Sequence, residues 1–292
     1  MKKIIENEYL KIVIASHGAE LQSIQDSKGQ EYLWQGDKCT WTDQAPNIFP
    51  YVGRLTQGKY LYRSIEYQMQ IHGFVKDAEL QSHYIDEQTI SFSLRSNEDT
   101  KKIYPFSFFY KITYKLEKNR LIISYYIENQ DDKIMYFGVG GHPGFQVPIE
   151  PGLQFQDYQL DFGVGSVPYQ VGMSEDCFIT DEDTPYKLRE SRYLDLNHTL
   201  FDHDAIILRD MSKKVCLQSP KGKKRIVVEY PQMTYLGLWH WPKAEVDYLC
   251  IEPWSSLPSH KDIVESLETQ ENLNSLDPGA IYENTWSIEI TE

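Results

Sequence analysis

The chain has 292 residues, 41% hydrophobic and 13% aromatic, enough to bury one large core or two small ones. Its formal charge of −14 argues against nucleic acid or an anionic membrane as the main partner, because a phosphate-binding surface needs net positive charge. No apolar run approaches the length of a membrane span, and residues 1–8 are too polar for a signal peptide. We therefore expect a soluble, cytoplasmic protein.

Alternation of apolar and polar residues with period two predicts strands along most of the chain. Tyr110, Ile112, Tyr114 and Leu116 give the clearest example, and the turn at 117–120 reverses it into a hairpin partner. The predicted strands are 9–15, 19–25, 31–35, 59–71, 89–95, 110–116, 121–127, 134–140, 205–209, 214–219, 225–230, 235–241, 247–252 and 285–291.

Helical periodicity is nearly absent from the sequence. One short helix is predicted near 261–270, where Ile263, Val264 and Leu267 share a face. Many short strands without a βαβ rhythm favour antiparallel sheets packed face to face. The sequence thus predicts one all-β domain over residues 1–292, a large antiparallel β-sandwich with few short helices.

Two ionisable residues lie in short segments whose neighbours restrict or free the backbone. His142 stands in Gly140-Gly-His-Pro-Gly-Phe145, and a histidine titrates near neutral pH. Glu252 stands in Cys250-Ile-Glu-Pro-Trp254, and an apolar setting raises the pKa of a carboxyl towards that of a working base. The pair is a candidate acid and base for moving a proton at pH 7. A histidine satisfied within a turn and a buried structural acceptor are the alternatives.

Three further candidates come from strand ends and an apolar segment. His72 follows the predicted strand in its polar phase, just before Gly73, which fits either a surface or a cleft position. Arg54 is the one cation of the apolar segment 47–55, so it needs either a structural ion-pair partner or a ligand. Asp204 opens an apolar strand, with Asp202 shortly before it, where most acidic residues serve as turn or cap residues.

Several other chemistries have no support in the sequence. There is no GxSxG elbow, P-loop or dinucleotide-binding glycine pattern. No histidine pair has metal-ligand spacing such as HxH or HExxH, and we expect no structural or catalytic metal. Widely spaced cysteines without a CxxC pair indicate free thiols in a reducing compartment: Cys39, Cys177, Cys216 and Cys250. The basic cluster over 213–225 is interpreted as a solvated hairpin tip, with a phosphate site as the alternative.

Five short motifs together resemble the aldose 1-epimerase (galactose mutarotase) family, in its divergent galactose mutarotase-like branch. They occur in the family's order and spacing, and the resemblance runs from about residue 8 to the C-terminus: Phe49-Pro-Tyr-Val-Gly-Arg54, His72-Gly-Phe74, Gly140-Gly-His-Pro-Gly-Phe145, Asp204-Ala-Ile-Ile-Leu208 and Cys250-Ile-Glu-Pro-Trp254. The resemblance implies a mutarotase-type β-sandwich with a sugar cleft across one sheet. It also implies an aldohexose as the substrate. Because the net charge of −14 repels a dianion at long range, we expect the neutral sugar to be preferred over its 6-phosphate. We expect a monomer or a homodimer.

The resemblance assigns roles position by position. Glu252 matches the general base, His142 the general acid, His72 the second active-site histidine and Arg54 the sugar-binding arginine. An Asp-His pair, as at Asp202-His203, fills the hydroxyl-contacting position in many mutarotases. The divergent branch instead places an aspartate directly before the apolar run. We therefore expect Asp204 to contact the sugar, with Asp202 as the alternative.

The implied reaction needs an acid, a base and groups that hold the sugar still, but no cofactor. The exposed faces of a sugar ring suit stacking on aromatic residues such as Phe74, Trp239, Trp241 and Trp254. A sugar-phosphate 1-epimerase is one alternative, which needs two or more cations beside the cleft, and Arg63 has no assigned place. A non-catalytic carbohydrate-binding protein is the other, although a pure binder has no need of an acid/base pair.

Overall fold

Antiparallel strands dominate the computed structural model, which describes residues 1–292. We number the 24 strands in chain order. They are β1 Lys2–Glu6, β2 Leu10–Ala15, β3 Leu21–Asp26, β4 Asn47–Ile48, β5 Lys59–Tyr62, β6 Ile65–Gln68, β7 Gln81–Asp86, β8 Thr89–Arg95, β9 Phe108–Glu117, β10 Arg120–Asn129, β11 Met135–Phe137, β12 Gly140–Gly141, β13 Gly144–Gln146, β14 Gln159–Asp161, β15 Tyr169–Gln170, β16 Thr184–Pro185, β17 Tyr193–Asp195, β18 Ile206–Arg209, β19 Lys214–Gln218, β20 Arg225–Glu229, β21 Tyr235–Trp239, β22 Tyr248–Trp254, β23 Asn274–Leu276 and β24 Ile281–Thr291.

Helical structure is limited to one α-helix and four single 3₁₀ turns. The helix, α1, spans Glu98–Ile103, and the Asn97 side chain caps it by accepting the backbone N–H groups of Asp99 and Thr100. The 3₁₀ turns are Thr56–Gly58, Val75–Asp77, Phe155–Asp157 and His198–Phe201.

The helix predicted near 261–270 is wrong. Leu61 donates its N–H to the carbonyl of Glu265 and accepts the N–H of Leu267, at 2.8 and 3.0 Å. These long-range backbone bonds compete with helical i→i−4 hydrogen bonds. A backbone group of residues 265–267 that is bonded to β5 is not available for hydrogen bonding within a helix. The segment consequently forms turns along the edge of the β5–β6 hairpin.

Two large antiparallel sheets form the body of the protein. The nine-stranded sheet has the order β17-β14-β19-β20-β24-β10-β9-β8-β7. The eight-stranded sheet has the order β16-β15-β18-β21-β22-β12-β4, with β13 also paired to β22. The predicted all-β class with antiparallel sheets is confirmed. The predicted hairpin is also confirmed, since β9 and β10 pair continuously from Glu117↔Arg120 to Phe108↔Asn129.

The main core lies between these two sheets and follows the period-two pattern. Along β9 the buried residues Tyr110, Ile112 and Tyr114 face it, while the residues between them are less buried. Along β22, Leu249 and Ile251 join the same core. Because strand side chains alternate between faces, Cys250 and Glu252 lie on the other, outer face of the eight-stranded sheet. A cavity that Glu252 helps to line lies on this outer face.

Three predicted strands differ from those observed. The predicted strand 134–140 is interrupted after Phe137: β11 pairs with β23 in a separate two-stranded sheet, whereas Gly140 belongs to β12 of the eight-stranded sheet. The predicted strand 59–71 is a hairpin, since Arg63 and Ser64 both adopt positive φ and reverse the chain between β5 and β6. As a result His72 lies beyond the end of β6. The predicted strand 31–35 forms only isolated bridges at Glu31 and Leu33.

The remaining expectations about the chain concern its thiols, its basic cluster and the membrane. All four cysteines are free. The basic cluster does flank a hairpin, formed by β19 and β20. No helix is both long enough and apolar enough to cross a lipid bilayer.

Candidate active site

Two glycines allow His142 to reach the outer face of the eight-stranded sheet. Gly140 and Gly141 form β12, which pairs with β22 on one side and with β4 on the other. A Cβ on Gly140 would lie 2.7 Å from the Pro253 carbonyl oxygen, and one on Gly141 would lie 2.6 Å from the Trp286 ring. Only residues without a side chain permit this approach, and His142 follows directly at the strand end. Its backbone N–H donates to the Pro46 carbonyl at 3.1 Å, which fixes its position.

Glu252 comes from the middle of β22 and is almost fully buried, with its residue 1% exposed. One of its carboxylate oxygens, Oε2, lies 3.1 Å from Nε2 of His142. The two atoms are close but poorly aligned for a hydrogen bond, so Oε2 has no hydrogen-bond partner in the protein, and neither has Nδ1 of His142. Buried polar atoms of this kind are normally paired. Their unused capacity points to a ligand at this position.

Burial shifts the pKa values of these two groups in opposite directions. It raises the pKa of the Glu252 carboxyl well above its usual range, with a smaller contribution from the charge of Asp204. It lowers the pKa of His142 to about 4. Attraction between an imidazolium and a carboxylate 3.1 Å apart opposes both shifts. The pair is therefore most stable when it holds one titratable proton. It then has no net charge, whether it consists of a carboxylate and an imidazolium or of a carboxylic acid and a neutral imidazole.

His72 is held next to this pair in a single tautomer. It has a φ of 65° and is followed by Gly73. The backbone of Gly73 lies so close to the Phe49 carbonyl that a Cβ atom at this position would clash with it. Its Nδ1 accepts the backbone N–H of Gly53 at 3.2 Å, so the proton of the neutral ring resides on Nε2. Burial, and then the neighbouring His142, lower its pKa well below the usual value. His72 is thus a neutral hydrogen-bond donor, with its ring 5.3 Å from that of His142.

Arg54 and Asp204 face each other across the cleft rim. Nη2 of Arg54 lies 4.0 Å from Oδ2 of Asp204, too far for a hydrogen bond, and the Arg54 side chain is half exposed. The Cys177 thiol donates to the same Oδ2 at 2.9 Å. The backbone N–H of Ala205 donates to Oδ1 at 2.9 Å, which holds Asp204 at a φ of 76°. The guanidinium and the carboxylate are held in place, and both can still form hydrogen bonds to a ligand.

A single cavity of about 360 Å³ joins these residues. Its size falls within the usual range for small-molecule sites, roughly 300–1,000 Å³. All five predicted site residues line it, whereas Asp202 and Arg63 do not. The other lining residues are Trp41, Asp43, Pro46, Gly53, Ile71, Lys76, Met173, Cys177, Ala205, Ile207, Trp239, Trp241, Trp254 and Pro258.

Aromatic rings form much of the cavity wall. Trp239, Trp241 and Trp254 line it, as the sequence suggested, but Phe74 packs instead against Phe49 and lies outside it. Trp41 is an unpredicted member, and its ring lies 5.1 Å from that of His142. Flat apolar rings beside a few convergent polar groups match the surface of a sugar, which has apolar faces and a hydroxyl rim.

Sequence reasoning missed three polar residues of the cavity: Asp43, Lys76 and Cys177. Lys76 follows the His-Gly-Phe motif and pairs with Asp77 at 2.6 Å. Asp43 and Cys177 lie on loops without periodicity, so no local pattern links them to the other motifs. Proximity to a motif could have identified Lys76. Only the tertiary structure could have identified the other two.

The fold and the cleft together define a class of protein: an antiparallel β-sandwich that presents a buried carboxyl–imidazole pair to a sugar-sized cavity. A model of the aldose 1-epimerase family matches residues 2–269. The plasmid and chromosomal LacX proteins of Lactococcus lactis subsp. lactis are each 30% identical over 294 residues, covering 98% of both chains. The chain belongs to the aldose 1-epimerase family.

Solved structures agree with this assignment. A galactose mutarotase-related enzyme from Lactobacillus acidophilus superposes with a TM-score of 0.95 at 31% identity, covering 100% of this chain and 98% of that one. A galactose mutarotase-like protein from Lactobacillus casei gives a TM-score of 0.93 at 29% identity, with 99% and 100% covered. The mutarotase-type β-sandwich expected from the resemblance is thus confirmed.

Proposed function

We propose that the protein is an aldose 1-epimerase that interconverts the α and β anomers of a hexose by general acid/base ring opening and closure. The observation that carries this proposal is the approach of His142 Nε2 to Glu252 Oε2, 3.1 Å apart at the base of a sugar-sized cavity. The two oxygens that exchange protons in mutarotation are both attached to C1 of the sugar. Two proton-transfer groups side by side are therefore well placed to serve both oxygens.

The proposed reaction begins with Glu252 as a carboxylate and His142 as an imidazolium. Glu252 removes the proton from the C1 hydroxyl while His142 gives its proton to the ring oxygen. The bond from C1 to the ring oxygen breaks and C1 becomes an aldehyde carbon. The pair then consists of a neutral carboxylic acid and a neutral imidazole, so it still holds one proton.

Ring closure uses the same groups with exchanged roles. After rotation about the C1–C2 bond, His142 takes the proton of the hydroxyl that attacks the opposite face of C1. Glu252 then protonates the aldehyde oxygen. Burial suits this exchange, because it brings the energies of the neutral and ionic arrangements of the pair closer together. The remaining groups hold the sugar: His72 as a neutral donor, and Arg54 and Asp204 at the rim.

The activity is expected to persist at acidic pH. A second proton can enter the pair only by protonating His142 beside a neutral Glu252, and burial lowers that pKa to about 4. Loss of the last proton leaves a buried carboxylate, which burial also opposes. The acidic limb of kcat/KM should therefore lie well below the ordinary histidine pKa of about 6.5. Polarimetry across a pH series, with the spontaneous rate subtracted at each pH, measures it. A limb at or above pH 6.5 would contradict the one-proton pair.

Asp204→Asn is expected to raise KM roughly tenfold or more, since a charged acceptor for sugar hydroxyls is worth about 1.5–3 kcal/mol. Asparagine tolerates the positive φ of this position, so the backbone is preserved. Asp202→Asn is the matched control, because Asp202 lies outside the cavity. Equal effects of the two substitutions on KM would remove Asp204 from sugar binding.

A sugar-phosphate 1-epimerase is the second candidate, because Lys76 adds a second cation to the cavity beside Arg54. Apart from the Glu252–His142 pair, which has no net charge, two carboxylates, Asp43 and Asp204, line the cavity and balance these charges, and the chain carries −14 overall. We therefore expect kcat/KM to be higher for a neutral aldohexose than for its 6-phosphate. Polarimetry on a panel of α-aldoses and their 6-phosphates decides between them. A preference for phosphate that weakens with salt and is lost in Lys76→Ala would favour the second candidate.

A further inference from the structure

A buried thiol, that of Cys250, lies close to the carboxyl–imidazole pair. Cys250 precedes Glu252 by two residues on β22, so both side chains leave the same face of the strand. One imidazole nitrogen of His142, the Cys250 sulfur and one carboxylate oxygen of Glu252 all lie within 4.8 Å of one another. All three residues are buried, and Cys250 is fully so.

We propose a binding site for one thiophilic divalent cation such as Zn²⁺, formed by His142, Cys250 and Glu252. The bound ion inhibits the enzyme. The inhibitory part rests on the proposed function, because it requires that His142 and Glu252 carry out the proton exchange.

The spacing of the three ligand atoms suits a tetrahedral ion. Bond lengths of about 2.0–2.3 Å place neighbouring ligand atoms roughly 3.3–3.8 Å apart around Zn²⁺. The 3.1 Å from His142 to Glu252 is close to this value, and the upper limit of 4.8 Å needs side-chain movements on the order of 1 Å. The unpaired Glu252 Oε2 is aimed at the site from a side chain that is 1% exposed.

The ligand chemistry selects the kind of ion. A thiolate, an imidazole and one carboxylate suit Zn²⁺ or Cd²⁺, whereas Mg²⁺ and Ca²⁺ prefer oxygen ligands. His142 and Glu252 line the cavity, so an ion can enter from the cleft and keep its fourth position towards it. On binding, the Cys250 thiol releases its proton to solvent and becomes the thiolate ligand. The lone pairs that His142 and Glu252 need for proton exchange are then occupied by the metal.

The direct test titrates the unliganded protein with Zn²⁺, and with Co²⁺ as a spectroscopic substitute. We expect one ion per chain, a thiolate-to-cobalt charge-transfer band, and inhibition of mutarotation that a chelator reverses. A chelator alone should not lower the activity. Cys250→Ser should lose the charge-transfer band and weaken Zn²⁺ binding by at least about tenfold. Cys250→Ala provides a second variant, and inhibition is expressed relative to each variant's own metal-free rate.

Cys177→Ala is the matched control, because Cys177 is the other thiol of the cavity and contacts a carboxylate, Asp204. It should keep both the charge-transfer band and the inhibition. Loss of both in Cys177→Ala but not in Cys250→Ser would overturn the proposal, as would absence of Cys250-dependent binding, and either result would leave the proposed function standing. Binding through Cys250 without inhibition would instead contradict the roles proposed for His142 and Glu252.

Discussion

Glu252→Gln is expected to lower the enzyme-catalysed rate of mutarotation by about 10²–10⁴-fold, the usual contribution of a positioned general base. Glutamine preserves the shape of the side chain but cannot accept a proton at neutral pH. The fold should be retained and the free energy of unfolding should change little, because glutamine fills the same volume and the buried Glu252 Oε2 has no hydrogen-bond partner to lose. Polarimetry gives the rate, and thermal unfolding followed by circular dichroism gives the stability.

Glu265→Gln provides the matched control for this substitution. Glu265 is also a largely buried carboxylate, but it accepts hydrogen bonds from the backbone and ring nitrogens of His260, both at 2.9 Å, and lies outside the cavity. The Glu265→Gln protein should have a lower free energy of unfolding and an unchanged rate of mutarotation, the reverse of the result expected for Glu252→Gln. A folded Glu252→Gln protein with an unchanged rate would remove Glu252 from the mechanism.

His142→Gln is expected to cause a loss of similar size, about 10²–10⁴-fold, because the ring oxygen then has no acid to protonate it. The double variant with Glu252→Gln should be no more than a few-fold slower than the slower single variant. Groups that act as one unit have strongly non-additive effects, since removal of either already abolishes the concerted transfer.

The control for His142→Gln is His198→Gln. His198 is partly buried and stacks on Phe155 with ring centroids 4.2 Å apart, away from the cavity. Its rate should stay close to that of the unmodified protein. Multiplicative losses in the Glu252/His142 double variant would show that the two residues act independently and would contradict the shared-proton mechanism.

The strands were predictable from sequence wherever one face is buried and the other exposed. Along β9 and β10 the apolar and polar residues alternate, and the observed register follows that pattern. The prediction failed where long-range contacts decide the structure. Residues 261–270 have a helical apolar face, yet their backbone bonds to Leu61 prevent a helix. The turn at Arg63 and Ser64 was missed because neither residue is a usual signal for positive φ.

The candidate site was predictable in part because its charged residues stand within short motifs. Pro143 and the glycines around His142 indicate an unusual backbone conformation at this histidine. The apolar neighbours of Glu252 indicate that its side chain is buried. Trp41, Asp43 and Cys177 have no such local signature, since each reaches the cavity from a loop. Their contribution depends on how the loops fold over the outer face of the sheet, which periodicity does not encode.

The most direct test of the proposed mechanism is exchange NMR on an equilibrium mixture of sugar anomers. The α and β signals of a neutral aldohexose should exchange rapidly in the presence of catalytic amounts of the protein and slowly with Glu252→Gln at the same concentration. This measurement detects interconversion itself, without a net reaction and without a coupled enzyme. If the protein binds sugars but exchange stays at the spontaneous rate for every aldose and aldose 6-phosphate of the panel, the protein is a carbohydrate-binding member of its family and the acid/base mechanism is wrong.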